Sequence, residues 1–510
     1  MNNREILEKY EIDYLLINSS NEFLDEYTTL EENSAFKITN FSGSTCDVIM
    51  TPDTIFLFVD GRYHIQADNE VNPDLVKVVK LQIGQSVTEE IARIVGRNKT
   101  VGLFSKKNSQ YRVEQFSKYF DVKLLDDDIF TPSFDRTSEN SEEVFGLSPE
   151  EKTEGIREVL YDDEAIYVTN PQEVSYLFNL RDYSKQYSSS IYAKAIIYKN
   201  EIELFTPDNF DVLVDRLMDF RGRIYVDKKT INAFDYNLIN EKAIEVKENP
   251  IAMMKSVKTN VEIEHLKSAF ARTDEAVLAI RDYIEKYDNL SEFDISKKLT
   301  EEFMAHGAKS LSFRSIVAKD KNSALAHYGE ISKDERLCDG SLILIDCGAY
   351  YEQGLATDCT RVFVKGTPND LQKNVYTTVL RCFLNCFDTE NITTGGEIDN
   401  QARLFFQQNP VDGFVFNHGL GHGIGISVHE NPPALNKSEA GKVKLKENMC
   451  FTIEPGLYNK NCFGVRLENS CYLKDGKIVS FSKLPFEKKL IDFNLLTERE
   501  KELLDEFGVI

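Results

Sequence analysis

The chain has 510 residues, 42% of them hydrophobic and 28% charged, proportions of a soluble globular protein too long for one compact core and suited to about two to four domains. A net charge of −24 and a pI near 4.9 exclude the broad basic surface that nucleic acids and anionic membranes require, so neither is expected as a partner.

The opening stretch MNNREILEKYEIDYLLINSS holds no apolar run long enough for a signal peptide or a spanning helix. Eight of the nine cysteines lie beyond residue 330 and none shows C-x-x-C spacing, which predicts free thiols in a reducing cytoplasm. Up to about residue 135, helical and strand patterns alternate. IDYLLIN (12–18) and TIFLFVD (54–60) read as buried strands, and VTEEIARIV (87–95) has helical spacing. DDDIFTPSFDRTSENSEE (126–143) has linker composition. From about 146 to 250 the pattern starts again. EAIYVTNPQEVSYLFNL (164–180) echoes IDYLLINSSNEFLDEY (12–27), and RIYVDKKT (223–230) echoes LFVDGRYH (57–64), as a duplicated unit would. Long amphipathic helices then open a third region at NPIAMMKSVKTNVEIEHLKSAF. SLILIDCGAY, CTRVFVKG, GFVFNHG, MCFTIEPG and FGVRLENSCYL follow as predicted strands, an α+β pattern.

HGLGHGIGISVHENPP (418–433) carries three of the seven histidines within twelve residues, His418, His422 and His429. Its glycines alternate at 419, 421, 423 and 425, which fits neither G-x-G-x-x-G nor a P-loop, and no lysine lies nearby. Imidazoles this close suit metal binding or proton transfer instead, and either needs carboxylate partners. One acidic pattern occurs twice in the same region. Asp346 is followed by Gly348 and Tyr350, then by Gly354 and Asp358; Glu454 is followed by Gly456 and Tyr458, then by Gly464 and Glu468. The separations, 358 − 346 = 12 and 468 − 454 = 14, suit facing positions on two hairpins. Four carboxylates gathered together repel unless divalent cations neutralise them. Oxygen ligands with one imidazole suit Mn²⁺, Co²⁺, Fe²⁺ or Zn²⁺. Cys347 and Cys359 adjoin these acids but should face the other side of the sheet. An acid at a strand end is usually only a turn residue; that reading leaves the repeat around a histidine cluster unexplained.

DCGAYYEQGLATDCTR, HGLGHGIGISVHENPP, TIEPG and VRLEN together resemble the pita-bread metallopeptidases, the family of methionine aminopeptidase, prolidase and aminopeptidase P. NFSGSTCDVIMTPDTIFLFVDGRYHIQA, EVSYLFNLR, SALAHY and LPFEKKLIDFNLLTEREKELL extend the likeness over nearly the whole chain, and towards its three-domain aminopeptidase P (Xaa-Pro aminopeptidase) branch. The resemblance implies two creatinase-like N-terminal α/β domains, 1–138 and 139–250, followed by a C-terminal pita-bread α+β catalytic domain, 251–510. It implies release of the N-terminal residue from peptides whose second residue is proline. The implied cofactors are two divalent metal ions, Mn²⁺ first, with Co²⁺ or Zn²⁺ as alternatives. Their ligands would be Asp346, Asp358, His422, Glu454 and Glu468, with Asp358 and Glu468 bridging. Glu454 would also relay the proton of the attacking water, while His429 and His418 donate to the developing oxyanion. His327 in AHY and Arg62 in DGRY match substrate-contacting residues. Arg466, grouped with them, shares a strand face with Glu468 and would steady that carboxylate. A homodimer formed through the third domain is also implied.

The chain departs from the family pattern in two places. The interval between Asp346 and Asp358 is one residue longer than usual, which suggests a bulge or wider turn after Tyr350, and Asp182 stands where glycine is common. Competing readings are a prolidase restricted to X-Pro dipeptides, a non-catalytic binding scaffold of the same fold, and a metal-free creatinase-like hydrolase, which would not need all five ligands.

Overall fold

The computed structural model describes residues 2–82, 84–132, 134, 136–137, 140–389 and 392–510, which form two compact units. The first comprises Met1–Asp182 and Ser190–Pro250; the second comprises Tyr183–Ser189 and Ile251–Ile510. The boundary expected at residues 138 and 139 lies outside the described residues.

The first unit holds two sheets. Strands β1 (Tyr14–Asn18), β2 (Asp47–Met50), β3 (Ile55–Val59), β4 (Val76–Lys80), β5 (Thr100–Phe104) and β6 (Asp121–Leu125) form one of them, in the order β4-β3-β2-β1-β5-β6. Leu15, Leu16 and Ile17 of β1 are all buried, as a central strand covered on both faces requires. Strands β7 (Glu164–Val168), β8 (Lys194–Tyr198), β9 (Ile202–Phe205), β10 (Arg223–Val226) and β11 (Ala243–Glu245) form the other, in the order β9-β8-β7-β10-β11.

Apart from the extra edge strand β4, the two sheets share one topology. In each, the first strand pairs antiparallel with the second and parallel with a later strand, β5 or β10. The second and third strands then form an antiparallel hairpin pair, and the outermost pair on the other side is parallel. The echo between residues 12–27 and 164–180 therefore falls on equivalent strands, β1 and β7. The other echo does not: RIYVDKKT lies on β10, whose counterpart is β5, whereas LFVDGRYH lies on β3. A strand-then-turn composition recurs in both places, and only the pairing order tells them apart. The segments after β5 and β10 meet each other. Ser109 and Asn232, which cap helices Gln110–Ser117 and Ala233–Ile239, form an antiparallel bridge, and the Ala233 N–H donates to the Asn108 carbonyl at 2.9 Å.

The second unit is built on an antiparallel sheet of β12 (Ile316–Lys319), β13 (Leu342–Cys347), β14 (Cys359–Val364), β15 (Cys450–Ile453), β16 (Glu468–Lys474) and β17 (Lys477–Ser480). Its order is β12-β13-β14-β16-β15, with β17 paired to β16. The period of two along β13 divides its side chains between two cores. Ile343, Ile345 and Cys347 pack against helices Asn260–Lys286 and Glu292–Ala305, whereas Leu342 and Leu344 join the core containing helices Asp370–Phe387 and Gly395–Gln408. A Thr259–Glu262 capping box starts the first of these helices. The segment Tyr183–Ser189 belongs to this unit because Tyr183 donates to the carbonyls of Tyr351 and Glu352 at 3.0 and 2.9 Å, and Ser189 to that of Gly354 at 2.6 Å.

GFVFNHG does not form the predicted strand. Gly413 turns the chain with φ at 76°, Phe414 packs on Phe463, and a single bridge from Val415 to Tyr458 is its ladder contact. Among the described residues no helix is long and apolar enough to cross a membrane.

Candidate metal centre

Strand register gathers the acids. Asp346 of β13 pairs with Thr360 of β14, and Thr360 pairs with Glu468 of β16. Ile453 pairs with Asn469, so Glu454, the next residue, arrives opposite Glu468. Directly paired residues share a face, so Asp346, Thr360, Glu468 and Glu454 lie in one row across the sheet, with Asp358 on the same face two residues from Thr360. This is the face of Leu342 and Leu344; the apolar row gives way to acids at its end. Cys347 and Cys359 pair across the ladder and are buried in the opposite core.

The glycine-rich segment delivers the imidazole. His422 lies on the short strand Gly421–His422, with its Nε2 3.6 Å from an Asp358 oxygen and 3.5 Å from a Glu454 oxygen. Its Nδ1 lies 3.1 Å from the Gly423 carbonyl. The glycines here permit close approach rather than unusual dihedrals. A Cβ at Gly421 would sit 2.0 Å from the Thr452 carbonyl oxygen, and one at Gly425 would sit 2.3 Å from a Glu430 carboxylate oxygen.

Asp358, His422 and Glu468 each offer a ligand atom, and these atoms lie within 4.8 Å of one another. Burial, then the charges of Glu468, Asp346 and Glu454, push the Asp358 carboxyl well above the usual range. Burial and Asp346 push Glu468 up to about 8. One oxygen of Asp346 and one of Asp358 are buried without a hydrogen-bond partner. Orphaned acceptors among mutually repelling carboxylates are what a bound cation would satisfy, so these residues fit divalent metal. Uptake would expel protons from the acids and so strengthen as pH rises.

The Arg466 charge favours the ionised form of Glu468 against the upward push of burial, while its hydrogen bonds go to other groups. Its Nη2 pairs with Asp346 at 2.5 Å, its Nη1 donates to the Tyr458 hydroxyl at 2.9 Å, and its Nε to the Thr360 hydroxyl at 3.3 Å. By hydrogen bonds it reaches Glu468 through Thr360, which donates to that carboxylate at 2.6 Å. The strand ladder is interrupted at Leu467, between Arg466 and Glu468.

His418 has both ring nitrogens engaged, Nδ1 with the Gly419 carbonyl at 2.7 Å and Nε2 with the Tyr458 hydroxyl at 2.8 Å. Because the Gly419 carbonyl can only accept, the proton of neutral His418 sits on Nδ1, and Nε2 accepts from the Tyr458 hydroxyl. The His429 ring stands at 87° to that of His422, with centroids 4.4 Å apart. His327 is half-buried in the loop following the 3₁₀ turn Asp320–Ala324. Arg62 lies in the first unit, forked onto Asp60 by Nε and Nη2 at 3.0 and 2.8 Å, with Glu26 3.8 Å away.

A second charged cluster supports the histidine loop. Glu430, next to His429, is buried between Lys255 and Lys258 at 2.8 and 2.9 Å and accepts the Ile426 N–H at 3.0 Å. Burial pushes its carboxyl up, but the two lysines overcome this and hold it at about 2, against its ordinary 4.5. A folded-state pKa below the unfolded value stabilises the fold above about pH 4.5, and that contribution is lost as pH falls through about 2. Glu430→Gln should cost about 3–5 kcal/mol at neutral pH, because two lysines remain buried without their anion. Denaturant unfolding of the two proteins measures it, and an unchanged midpoint would refute the role.

Thr360, Tyr458, Lys255, Lys258 and Glu430 were not picked out as functional residues from sequence. For two of them a signal exists: Thr360 is two residues from Asp358, and Tyr458 is the tyrosine of the repeated acidic pattern. Glu430 and its lysines have none, being more than 170 residues apart in the chain.

Residues 264–475 match the metallopeptidase family M24, and residues 132–218 match the creatinase/prolidase N-terminal domain. Xaa-Pro aminopeptidase 1 of Dictyostelium discoideum is 26% identical, over 99% of this chain and 90% of its own length. A probable Xaa-Pro aminopeptidase P of Laccaria bicolor is 27% identical over 99% and 88%. Among solved structures, the X-prolyl aminopeptidase of Caenorhabditis elegans, described as a cytosolic enzyme with a di-nuclear active site, superposes with a TM-score of 0.87 at 21% identity, covering 97% of this chain and 92% of that one. Residues 264–475 therefore carry a metallopeptidase family M24 domain of pita-bread fold, with a creatinase/prolidase-type N-terminal region ahead of it.

Proposed function

We infer that the chain is a dinuclear Xaa-Pro aminopeptidase, releasing the first residue of peptides whose second residue is proline. The observation that carries the reading is the row of Asp346, Glu468 and Glu454 across one sheet face, with Asp358 beside it and His422 against it. These five residues would hold two divalent ions, with Asp358 and Glu468 shared between them; oxygen-rich ligands with one imidazole favour Mn²⁺ over thiolate-seeking metals. When bound, such ions polarise the scissile carbonyl and lower the pKa of the attacking water.

The chain's own residues do the rest. Glu454 accepts the proton of the attacking water and passes it to the leaving nitrogen. His429 donates to the oxygen on which negative charge develops. His418, with both nitrogens committed, holds Tyr458, and Tyr458 with Asp346 fixes the Arg466 guanidinium. His327 holds the proline side of the substrate. An X-Pro bond carries no amide N–H, and none of these roles depends on gripping one.

Nearly full-length alignment with relatives named Xaa-Pro aminopeptidase favours this reading over a prolidase. The cytosolic description of the worm protein and nine free thiols support a reducing compartment, and the family resemblance supports a homodimer. Cleavage of a tripeptide X-Pro-Y beside its dipeptide X-Pro tests the substrate class. The tripeptide should release X while the dipeptide persists; the reverse preference would make the protein a prolidase.

A further inference from the structure

The segment that carries His327, residues 319–332, runs from the last residue of β12 through one 3₁₀ turn into irregular loop, yet a single carboxylate organises it. Glu292 opens helix Glu292–Ala305 and is completely buried. One of its oxygens accepts the Lys319 N–H at 2.6 Å and the Asn322 amide at 2.8 Å. The other accepts the Tyr328 hydroxyl at 2.7 Å and the Ser332 N–H at 2.8 Å. All four donors belong to the loop, two at its ends and one beside His327. The Phe293 N–H adds a bond to the Ser332 carbonyl at 3.1 Å, and Asn322 also donates to the Tyr328 hydroxyl at 3.0 Å.

The other side of the loop is fastened to the metal-centre hairpin. Ser323 donates to the Gly464 carbonyl and accepts the Gly464 N–H, both at 2.9 Å, two residues from Arg466. An ionised carboxylate with four donors makes strong, charge-assisted bonds, and its position at a helix N-terminus adds favourable dipole energy. A buried network of this kind fixes geometry because every member is satisfied at once.

We propose that Glu292 is a positioning residue for substrate binding: by clasping residues 319–332 it holds His327 where the substrate meets it. The proposal rests on the reading of His327 as a substrate-side group. Glu292 touches neither substrate nor metal, and its effect passes through the loop.

Glu292→Gln keeps the side chain's size but turns one acceptor into a donor, so one pair of loop bonds is lost. Metal content should stay at the wild-type value. Amide exchange should quicken over residues 319–332 and stay unchanged over residues 418–433. KM for X-Pro-Y should rise, by up to roughly 100-fold, with kcat much less affected. Tyr328→Phe, which removes one of the four bonds, should shift the same quantities in the same direction by less, and it serves if Glu292→Gln folds poorly.

A double-mutant cycle with His327→Ala decides the route. If Glu292 acts through His327, then Glu292→Gln in the His327→Ala protein should change kcat/KM by no more than about twofold, the ordinary margin of additivity. Full, additive losses, or unaltered exchange over residues 319–332, would overturn the proposal and leave the His327 reading intact. A His327→Ala enzyme with wild-type kcat/KM would overturn both.

Discussion

Asp358→Asn should lose both metal and turnover. Asp358 sits at the meeting point of the site, 3.6 Å from the His422 imidazole and flanked by Glu468, Asp346 and Glu454. A neutral amide cannot be shared between two cations as a carboxylate can, and changes one shell further out already cost roughly 10–100-fold in metal affinity. A larger loss is expected if Asp358 is the bridging ligand proposed, with no measurable release of X from X-Pro-Y. The metal-free protein should respond in the opposite direction. Its Asp358 carboxyl is held well above the usual range, so ionising it opposes folding once pH exceeds the ordinary carboxylate value. Removing that charge should therefore raise the unfolding midpoint of chelated protein at pH 8. Lower metal affinity with a higher metal-free midpoint separates a lost ligand from a damaged fold. Two tightly bound ions and full activity would refute the assignment.

Glu454→Gln should separate binding from proton transfer. Glu454 lies 3.5 Å from His422 and 3.9 Å from His418, at the end of the row of acids. Glutamine keeps a carbonyl oxygen for a cation but cannot accept the proton of attacking water. General acid–base contributions run to roughly 10²–10⁴-fold, so kcat should fall by about that factor. KM should move much less, since on the proposed reading His327, His429 and the cations would hold the substrate. Near-normal kcat with retained metal would leave Glu454 a ligand only. If metal is lost too, the pH profile of the native enzyme replaces the variant as the probe of the base.

The site was legible because its residues lie close in sequence on hairpins and one glycine-spaced segment, where a period of two predicts faces. That rule put Cys347 and Cys359 on the far side from Asp346 and Asp358, as the paired strands have it. It put Arg466 near Glu468, whose ionised form the arginine's charge favours, but gave no sign of the arginine's direct partners, Asp346 and Tyr458, which come from other strands. The duplicated pattern in the first unit was legible in β1 and β7 but not in β10, whose composition matches β3 while its pairing matches β5. GFVFNHG looked like a strand because Phe414 and Phe416 alternate, yet the Gly413 turn and packing of Phe414 on Phe463 leave it irregular. Glu292 and Glu430 were silent for a different reason. A buried carboxylate is recognised by what surrounds it, and the partners of Glu292 lie 27 to 40 residues away, those of Glu430 more than 170.

Titration of chelated protein with Mn²⁺, with bound metal and release of X from X-Pro-Y followed together, tests the central claim most directly. The account predicts an inactive starting protein, activity that grows with occupancy up to two ions per chain, and X with Pro-Y as the products. Full activity in the chelated protein, or two ions bound with no cleavage of any X-Pro-Y peptide, would contradict it.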